Sequence, residues 1–415
     1  MMARTMTTPA TKPIPIEYRP MRDPAQETAR VSHIITRAFG GPEDRVPKWL
    51  ERLGHTNVRL VEATMPGAKQ RHVHGTLLFI SMGQYFGGRS VPMIGIAGVA
   101  VSPEARGRGV ATAMMEHALR EIHAMGAPIS TLYPATQPLY RRVGFEQAGS
   151  RFEHRVETSM IRVRERSLAS VPMGDSERAE ARRLYAKWAV HCDGALDRPD
   201  YIWARVHQPM FQQADGYLLV GASGAEGYVV QAPMTPPPPG SGAERGDLFC
   251  TDVCALTPAA ARAILTHLAE HDSRIAAATF HGPAWHPVTA IMDEQSYHVR
   301  LLDHWMVRIV DVPKALEARG YPPGLSLSLT LEVHDTLIPS NGGRFEISVE
   351  GGRARVKRGG SGGIRLEIRD LAPLYAGFAT PWALRLMGRL EGDEDSLTKA
   401  AAMFAGAGSA MSDMF

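Results

Sequence analysis

The alternation of hydrophobic and polar positions is clearest in one segment of the chain, Ile94–Met125. Its first part, Ile94–Val101, is an almost continuous apolar run, which is typical of a strand buried on both faces. A polar turn at 104–109 follows, and apolar residues then recur at spacings of three and four, as in an amphipathic helix. These helical positions are Ala111, Met115, Ala118, Ile122 and Met125. The pattern predicts a buried strand, a turn rich in arginine and glycine, and a helix.

Segments on either side of this stretch predict the rest of a mixed α/β domain. The predicted order is strand, two helices, three strands, helix, strand, helix and strand. The predicted strands are 16–18, 58–63, 72–84, 94–101, 129–133 and 152–156, and the predicted helices include 25–39, 46–53 and a short one carrying Tyr140. Residues 1–15 are rich in threonine, proline and alanine, and we expect a flexible tail there.

Two further patterns follow along the chain. Between 157 and 300, helices at 176–190 and 258–269 alternate with strands at 217–220, 227–231 and 249–256, and proline-rich 233–245 is interpreted as a surface loop or flexible insertion. From 301, a strand and helix lead into alternating strands at 325–333, 344–349 and 363–368, separated by glycine-rich turns and followed by helices. The sequence therefore predicts three domains, 16–156, 157–300 and 301–415, of which the last is α+β.

Composition narrows the class of protein. The chain has 415 residues, 44% of them hydrophobic, with a formal net charge of +3, which is too small to argue for nucleic acid or an anionic membrane as a partner. We find no apolar run of membrane-spanning length and no signal-peptide core, so a cytoplasmic location is expected, with non-classical secretion left open. Three cysteines without further ligand pairs indicate buried free thiols and no metal site.

The turn between the predicted strand and helix has the chemistry of an anion site. The first amides of a helix lack intrahelical partners, and the helix dipole adds partial positive charge there. Gly107 and Gly109 allow close approach to the backbone, while Arg106 and Arg108 supply charge, so the turn suits a pyrophosphate. A Walker loop is excluded because no Gly-Lys-Ser/Thr follows. Taken alone, the same turn would be better explained as a tight turn with solvated arginines; the apolar strand before it and the helix after it favour coenzyme binding.

Several motifs resemble a known family. Arg106-Gly107-Arg108-Gly109-Val110-Ala111 matches the R-x-x-G-x-A motif of the GNAT acetyltransferases, and Tyr140-Arg-Arg-Val-Gly-Phe resembles the helix and turn that follow their fifth strand. The second domain resembles a GNAT half without this motif, and the third resembles a sterol-carrier-like fold. With the strand Trp305–Asp311 and the terminal Phe415, the chain resembles the enhanced-intracellular-survival (Eis) acetyltransferases.

This resemblance implies a set of functional residues. Acetyl-CoA would be the co-substrate, with Tyr140 as general acid and the α-carboxylate of Phe415 as general base, in a homohexamer. Tyr140 could instead simply pack its helix onto the sheet, and nearby Asp413 could instead be the base or merely attract a cationic substrate. The implied coenzyme contacts are Val99, Ala100 and Val101 for the pantetheine arm, Arg106, Gly107, Arg108, Gly109, Val110, Ala111 and Thr112 for the pyrophosphate, and Ala135 and Thr136 beside the next helix.

The sequence says less about the acceptor of the acetyl group than about the coenzyme site. The resemblance implies a primary amine of an aminoglycoside-like molecule, another polyamine or a lysine side chain. Glu43, Asp44 and Glu51, near Trp49, would attract such a cation, or they form an ordinary solvated helix face. Two other functions compete with the enzyme, namely a lipid or sterol carrier built on the third domain and an acetyl-CoA sensor without turnover.

Overall fold

The computed structural model describes residues 14–239, 244–406 and 408–415. Most of the predicted tail at 1–15, and residues 240–243 of the proline-rich stretch, lie outside the described residues. Among the helices that the structure describes, none combines the length and the apolar character needed to cross a lipid bilayer.

The first domain has the predicted order of elements. Its elements are β1 (Ile16–Pro20), α1 (Pro24–Phe39), α2 (Arg45–Leu53), β2 (Val58–Ala63), β3 (His72–Phe86), β4 (Arg89–Val101), α3 (Val110–Ala124), β5 (Ile129–Leu132), α4 (Gln137–Arg142) and β6 (Glu146–Glu157). Local signals explain the helix ends: Asp23 caps α1 by accepting from the amides of Ala25 and Gln26, and Gly40, with φ of 74°, ends it. In α3 the buried stripe runs through Met114, Met115, Ala118, Leu119 and Ile122, whereas the predicted Ala111 is half-buried and Met125 is exposed.

The second domain also combines helices with β-strands. Its elements are β7 (Ala169–Pro172), α5 (Asp175–Ala189), β8 (Leu196–Asp197), α6 (Asp200–His207), β9 (Asp215–Gly221), β10 (Gly224–Gln231), β11 (Gly246–Ala255), α7 (Pro258–Ala269), β12 (Ile275–Gly282), α8 (Pro287–Ala290) and β13 (Tyr297–Ile309). The sequence analysis missed β7, β8, α6, β12 and α8, because their short segments lack a clear period and depend on packing and pairing with neighbours.

One sheet joins the first and second domains. Within the described residues it has 13 strands, in the order β1-β2-β3-β4-β5-β13-β6-β12-β11-β10-β9-β7, with β8 paired to β3. Because β13 pairs antiparallel with both β5 and β6, it completes the sheet of the first domain. The predicted boundary between residues 300 and 301 falls inside this strand, and the strand begins earlier than predicted because its exposed first half, Tyr297–Leu301, gains its order from pairing with β6.

The C-terminal domain has its own sheet. Its elements are α9 (Val312–Ala318), β14 (Leu327–His334), β15 (Gly343–Glu350), β16 (Arg353–Arg358), β17 (Ile364–Glu367), α10 (Ile368–Tyr375), α11 (Pro381–Leu386), β18 (Leu390–Gly392) and α12 (Glu394–Met403). The strand order is β16-β15-β14-β17-β18, and β14 pairs parallel with β17. Strands β16 and β18 were not predicted. Helix α10 packs on β6 and β13, so this domain sits against the first one.

Candidate active site

A gap opens between β4 and β5 in the first domain. The two strands pair in parallel only where Met93–Gly95 meets Ile129–Thr131, yet β4 continues to Val101. Gly98, with φ of 58°, lies where the register between β3 and β4 shifts, and this bulge bends β4. Within the described residues, the backbone of 96–101 therefore has no strand partner on the β5 side. The predicted pantetheine contacts Val99, Ala100 and Val101 lie on this open edge.

The loop after β4 leads to an uncapped helix. Gly107 and Gly109 have φ of 72° and 77°, a left-handed conformation that favours glycine. Gly109 is the N-cap of α3 and supplies no side-chain cap, and the first helical bond runs from the amide of Ala113 to the Gly109 carbonyl. The amides of 110–112 thus lack intrahelical acceptors and are available to an anion.

Two arginines flank these amides. Arg106 is exposed and donates from Nε to the Val101 carbonyl at 3.2 Å, and Arg108 is half-buried. Neither guanidinium forms an ion pair with a carboxylate in the part of the chain that the structure describes. Their charge is therefore not neutralised locally, which favours an anionic ligand at this loop.

A polar network fixes the start of the loop. The buried His74 ring lies 2.9 Å from the Ser102 hydroxyl through Nδ1 and 3.2 Å from Glu104 Oε1, and Arg30 binds the same carboxylate oxygen at 3.0 Å. Burial lowers the pKa of His74, so the imidazole is neutral near pH 7. Sequence reasoning missed His74 and Arg30, since nothing in their local pattern points to a turn some 30 or 70 residues away.

Tyr140 lies on α4 with its ring in the hydrophobic cluster between the sheet and α3. The ring packs edge-on against Phe145 with 6.1 Å between centroids. Burial raises the pKa of Tyr140 to about 12, so the phenol stays protonated near neutral pH. Its hydroxyl forms no hydrogen bond with any residue that the structure describes. Ala135 and Thr136 are exposed just before this helix, and Thr136 is its N-cap residue.

The chain end lies in the first domain. The tail pairs with the backbone of Ser150, whose amide donates to the Ser409 carbonyl at 3.0 Å and whose carbonyl accepts from the Met411 amide at 3.1 Å. Phe415 is 8% exposed, and its ring meets Tyr133 edge-on at 5.8 Å between centroids. The ring also lies over Gly95, at the last pair between β4 and β5. The tail thus ends where the gap begins.

Tyr140 and Phe415 lie on opposite faces of the sheet. Tyr140 shares its cluster with Ile94 and Ile96, whereas Phe415 belongs to the cluster on the other face and covers Gly95. Side chains alternate along a strand, so Ile94 and Ile96 face one side of the sheet and position 95 faces the other, which agrees with these two clusters. The structure therefore brings Phe415 to the start of the gap and Tyr140 into the cluster on the opposite face of the sheet, and it does not bring the two into contact.

Comparison with known proteins agrees with this architecture. Residues 17–148 and 194–309 each match an Acetyltransferase (GNAT) domain family, and 312–412 match the Sterol carrier protein domain family. An uncharacterised N-acetyltransferase of Streptomyces avermitilis is 30% identical over 353 residues, covering 77% of this chain and 81% of that protein. The N-acetyltransferase Eis of Mycobacterium tuberculosis is 28% identical over 329 residues, 74% of this chain and 77% of Eis. The crystal structure of a GCN5-related N-acetyltransferase from Anabaena variabilis is 34% identical, covers 97% of this chain and 100% of its own, and superposes with a TM-score of 0.89.

The chain belongs to the GCN5-related N-acetyltransferases, and it is similar to Eis over most of its length. The prediction of two GNAT domains followed by a sterol-carrier-like domain is confirmed by these matches. The prediction that the protein is an acyltransferase is confirmed as well.

The second GNAT half of this acetyltransferase has a different helix terminus at the corresponding place. Helix α7 follows β11 as α3 follows β4, but the Thr257 side chain caps it by accepting from the Ala260 amide, and Pro258 removes one amide donor. Glu226 accepts a hydrogen bond from the Thr257 hydroxyl at 2.6 Å, which places a negative charge beside the helix terminus. Anion binding there is disfavoured.

The acidic residues proposed for the acceptor are spread around α2. Trp49 lies on the inner side of this helix, near Gly98, and its indole N–H donates to the Tyr201 hydroxyl at 2.7 Å. Glu51 is exposed and projects about 200° around the helix from Trp49, since each residue turns by roughly 100°. Glu43 and Asp44 are exposed just before α2. Glu51 thus points away from the side that faces the gap, and the role of the other two stays a prediction.

Proposed function

We propose that this acetyltransferase moves the acetyl group of acetyl-CoA directly to a primary amine of an aminoglycoside-like molecule, another polyamine or a lysine side chain. The observation that carries the proposal is the open edge of β4 leading into an uncapped helix with two arginines beside it. In this proposal the pantetheine arm pairs with the backbone of Val99–Val101, and the pyrophosphate lies on the amides and guanidinium groups of 106–112. Ala135 and Thr136 complete the coenzyme contacts.

The terminal carboxylate of Phe415 is the proposed general base. An acceptor amine is mostly protonated at pH 7 and must lose a proton as it attacks the thioester that acetyl-CoA supplies. A terminal carboxylate has a reference pKa near 3.3–3.7, so it is ionised at neutral pH without special tuning. The proposal is supported by the packing of the Phe415 ring against Gly95 and Tyr133, which keeps this chain end at the gap.

Tyr140 is the proposed general acid. Its raised pKa keeps the phenol protonated, so it can donate to the departing thiolate. A main-chain N–H around Val99, on the open edge of β4, is the proposed donor to the oxyanion. Because a gap between strands opens to both faces of a sheet, the base on one face and the acid on the other are compatible with one reaction in which the two groups never touch.

The packing of the third domain favours an enzyme over a lipid carrier. A carrier needs an apolar cavity of ligand size. In the C-terminal sheet, the inward side chains of β14 and β15 are buried in one cluster with those of α10 and α12. These residues are Leu329, Leu331, Val333, Phe345, Ile347, Val349, Leu371, Leu374, Leu397 and Ala400.

The test is thiol release from acetyl-CoA with a panel of aminoglycosides, polyamines and lysine peptides, for the native protein and for Tyr140→Phe. We expect release with at least one amine and a strongly reduced rate in the variant. Coenzyme binding without thiol release for any of these amines would contradict the proposed acceptors. A homohexamer and a cytoplasmic location belong to the same proposal, and the mass of the native assembly in solution tests the first of these.

A further inference from the structure

A buried arginine of the second domain binds the chain end. The Arg198 side chain is 1% exposed; its Nη1 lies 2.5 Å from Asp252 Oδ2 and its Nε 2.9 Å from Asp413 Oδ2. Tyr228 donates to the same Asp252 oxygen at 2.6 Å, and the guanidinium stacks on Tyr185 at 3.7 Å. Asp252, Tyr228 and Tyr185 all belong to the second domain, so Asp413 is the one member contributed by the tail.

A tyrosine of the first domain holds the same tail residue through its main chain. Tyr133, directly after β5, donates its hydroxyl to the Asp413 carbonyl oxygen at 2.6 Å. The upstream tail is held as well, because the Ala410 amide donates to the Asp193 carbonyl at 2.9 Å. Asp413 is therefore held by both acetyltransferase halves: the second binds its side chain through Arg198, and the first binds its carbonyl oxygen through Tyr133.

Stability alone does not explain this buried network of charges. Three charges in one desolvated site are expensive, and an apolar cluster of similar volume is often as stable. Burial raises the pKa of Asp413 although Arg198 opposes the shift, which shows how strongly the site is removed from water. A buried charged network does, however, impose one geometry on the groups that join it.

The geometry matters because Asp413 is only two residues from the terminal carboxylate. Two residues of extended chain span at most about 7 Å, so fixing Asp413 confines the carboxylate to a small volume. Met414, between them, is 47% exposed and adds little restraint. Chain ends without such contacts are usually frayed, whereas proton transfer needs positions fixed to well under 1 Å.

We propose that Arg198 and Tyr133 are positioning residues that hold Asp413, and through it the Phe415 carboxylate, at the acetyl-transfer site. The second acetyltransferase half, which lacks the coenzyme motif, thus contributes to the reaction by orienting the base. This inference rests on the proposed role of Phe415, and it also gives Asp413 a structural role in place of the alternative role of base.

The first test compares two tyrosines that make the same kind of bond. Tyr133→Phe removes the bond to Asp413, and Tyr321→Phe removes an equally short bond, 2.6 Å, to the Leu316 carbonyl in a buried site of the C-terminal domain. We expect kcat to fall about 10–100-fold in Tyr133→Phe, with KM for acetyl-CoA within about twofold of native, and to be unchanged in Tyr321→Phe. Equal kcat values for the two variants at similar Tm would overturn the proposal.

The second test separates this inference from the role of Phe415 itself. Asp413→Asn removes the charge that pairs with Arg198, and it should reduce kcat as Tyr133→Phe does. If Tyr133→Phe acts through the terminal carboxylate, it should add no further loss once Phe415 is deleted. If Tyr133→Phe lowers kcat by the same factor in the chain without Phe415 as in the native chain, the positioning role is contradicted. Native kcat after deletion of Phe415 instead contradicts the base assignment, which is a different result.

Discussion

Gly95 and Phe415 lie too close for any side chain to stand between them. A Cβ on Gly95 would be 2.7 Å from Cε2 of Phe415 and 2.3 Å from Cε of Met82. The glycine in the middle of β4 therefore makes room for the last residue of the chain, and the position of that residue depends on a strand more than 300 residues earlier.

Gly95→Ala should displace the Phe415 ring and with it the terminal carboxylate. We expect kcat to fall about tenfold or more with little change in affinity for acetyl-CoA, since misplacing a catalytic group by a fraction of an ångström is costly. Steady-state kinetics with a saturating amine measure this. Gly75→Ala is the matched strand control, because its Cβ would meet Met114 and Val61 at 3.3 Å, away from Phe415. Loss of kcat in both variants would indicate a general effect on the sheet.

One extra glycine after Phe415 should abolish turnover. The added residue moves the carboxylate by about 3.5 Å and replaces it with an amide, which cannot accept the proton. Acetyl-CoA binding, measured by calorimetry, should be retained. Phe415→Leu keeps the carboxylate but loses part of the ring contact with Tyr133, so we expect an intermediate kcat. Near-native turnover of the extended chain would exclude the terminal carboxylate as base.

Gly109→Ala should weaken acetyl-CoA binding. An alanine in the left-handed conformation costs roughly 1–2 kcal/mol, and relief of that strain turns the first amides of α3 away from the pyrophosphate. The expected rise in Kd is about tenfold. Gly67→Ala introduces the same strain at φ of 85° in an open turn, so it should lower Tm comparably without changing Kd. Unchanged Kd in Gly109→Ala would argue against this loop as the pyrophosphate site.

The phenol of Tyr140 should titrate well above the usual range. Burial disfavours the phenolate, so the pKa rises to about 12 and the acid remains protonated throughout the pH range in which enzymes are assayed. The difference in tyrosinate absorbance between the native protein and Tyr140→Phe should therefore develop only above about pH 11. A difference that is already half complete at pH 10, the unperturbed value, would contradict this.

Acid should destabilise the protein partly through His286. This 5% exposed side chain lies 5.5 Å from His154, between ring centroids, and caps α8 through its Nδ1. Burial, with a smaller effect of His154, lowers its pKa to about 3, so the folded protein keeps it neutral while the unfolded chain protonates near pH 6.5. Its contribution to stability is therefore complete above pH 6.5 and is lost as pH falls towards 3.

His286→Asn keeps a cap acceptor but cannot titrate. We expect a somewhat lower Tm at pH 7 and a flatter decline of Tm between pH 6.5 and 4, where the native protein loses about 2–3 kcal/mol from this group. Thermal denaturation over that pH range measures both. Parallel Tm curves for the native protein and the variant would mean that the histidine is not buried in its neutral form.

Much of the first domain could be predicted because its signals are local. The apolar run of β4, the glycines of the following loop and the helical period of α3 lie within about 30 residues of one another. Each depends on backbone preferences and on the burial of one face, so sequence spacing alone is informative. In contrast, β12 and the first half of β13 have no such period and owe their structure to pairing with β6.

The sequence by itself determined the strand, loop and helix of the coenzyme motif, the type of each domain and the importance of Tyr140 and the terminal residue as candidates. The tertiary structure alone decided that Tyr133 and Arg198 meet Asp413, that Gly95 accommodates Phe415, and that the two proton-transfer candidates lie on opposite faces of one sheet. The reason is physical. Helical and strand periods express interactions between near neighbours, whereas a hydrogen bond across 280 residues exists only after the three domains have packed together.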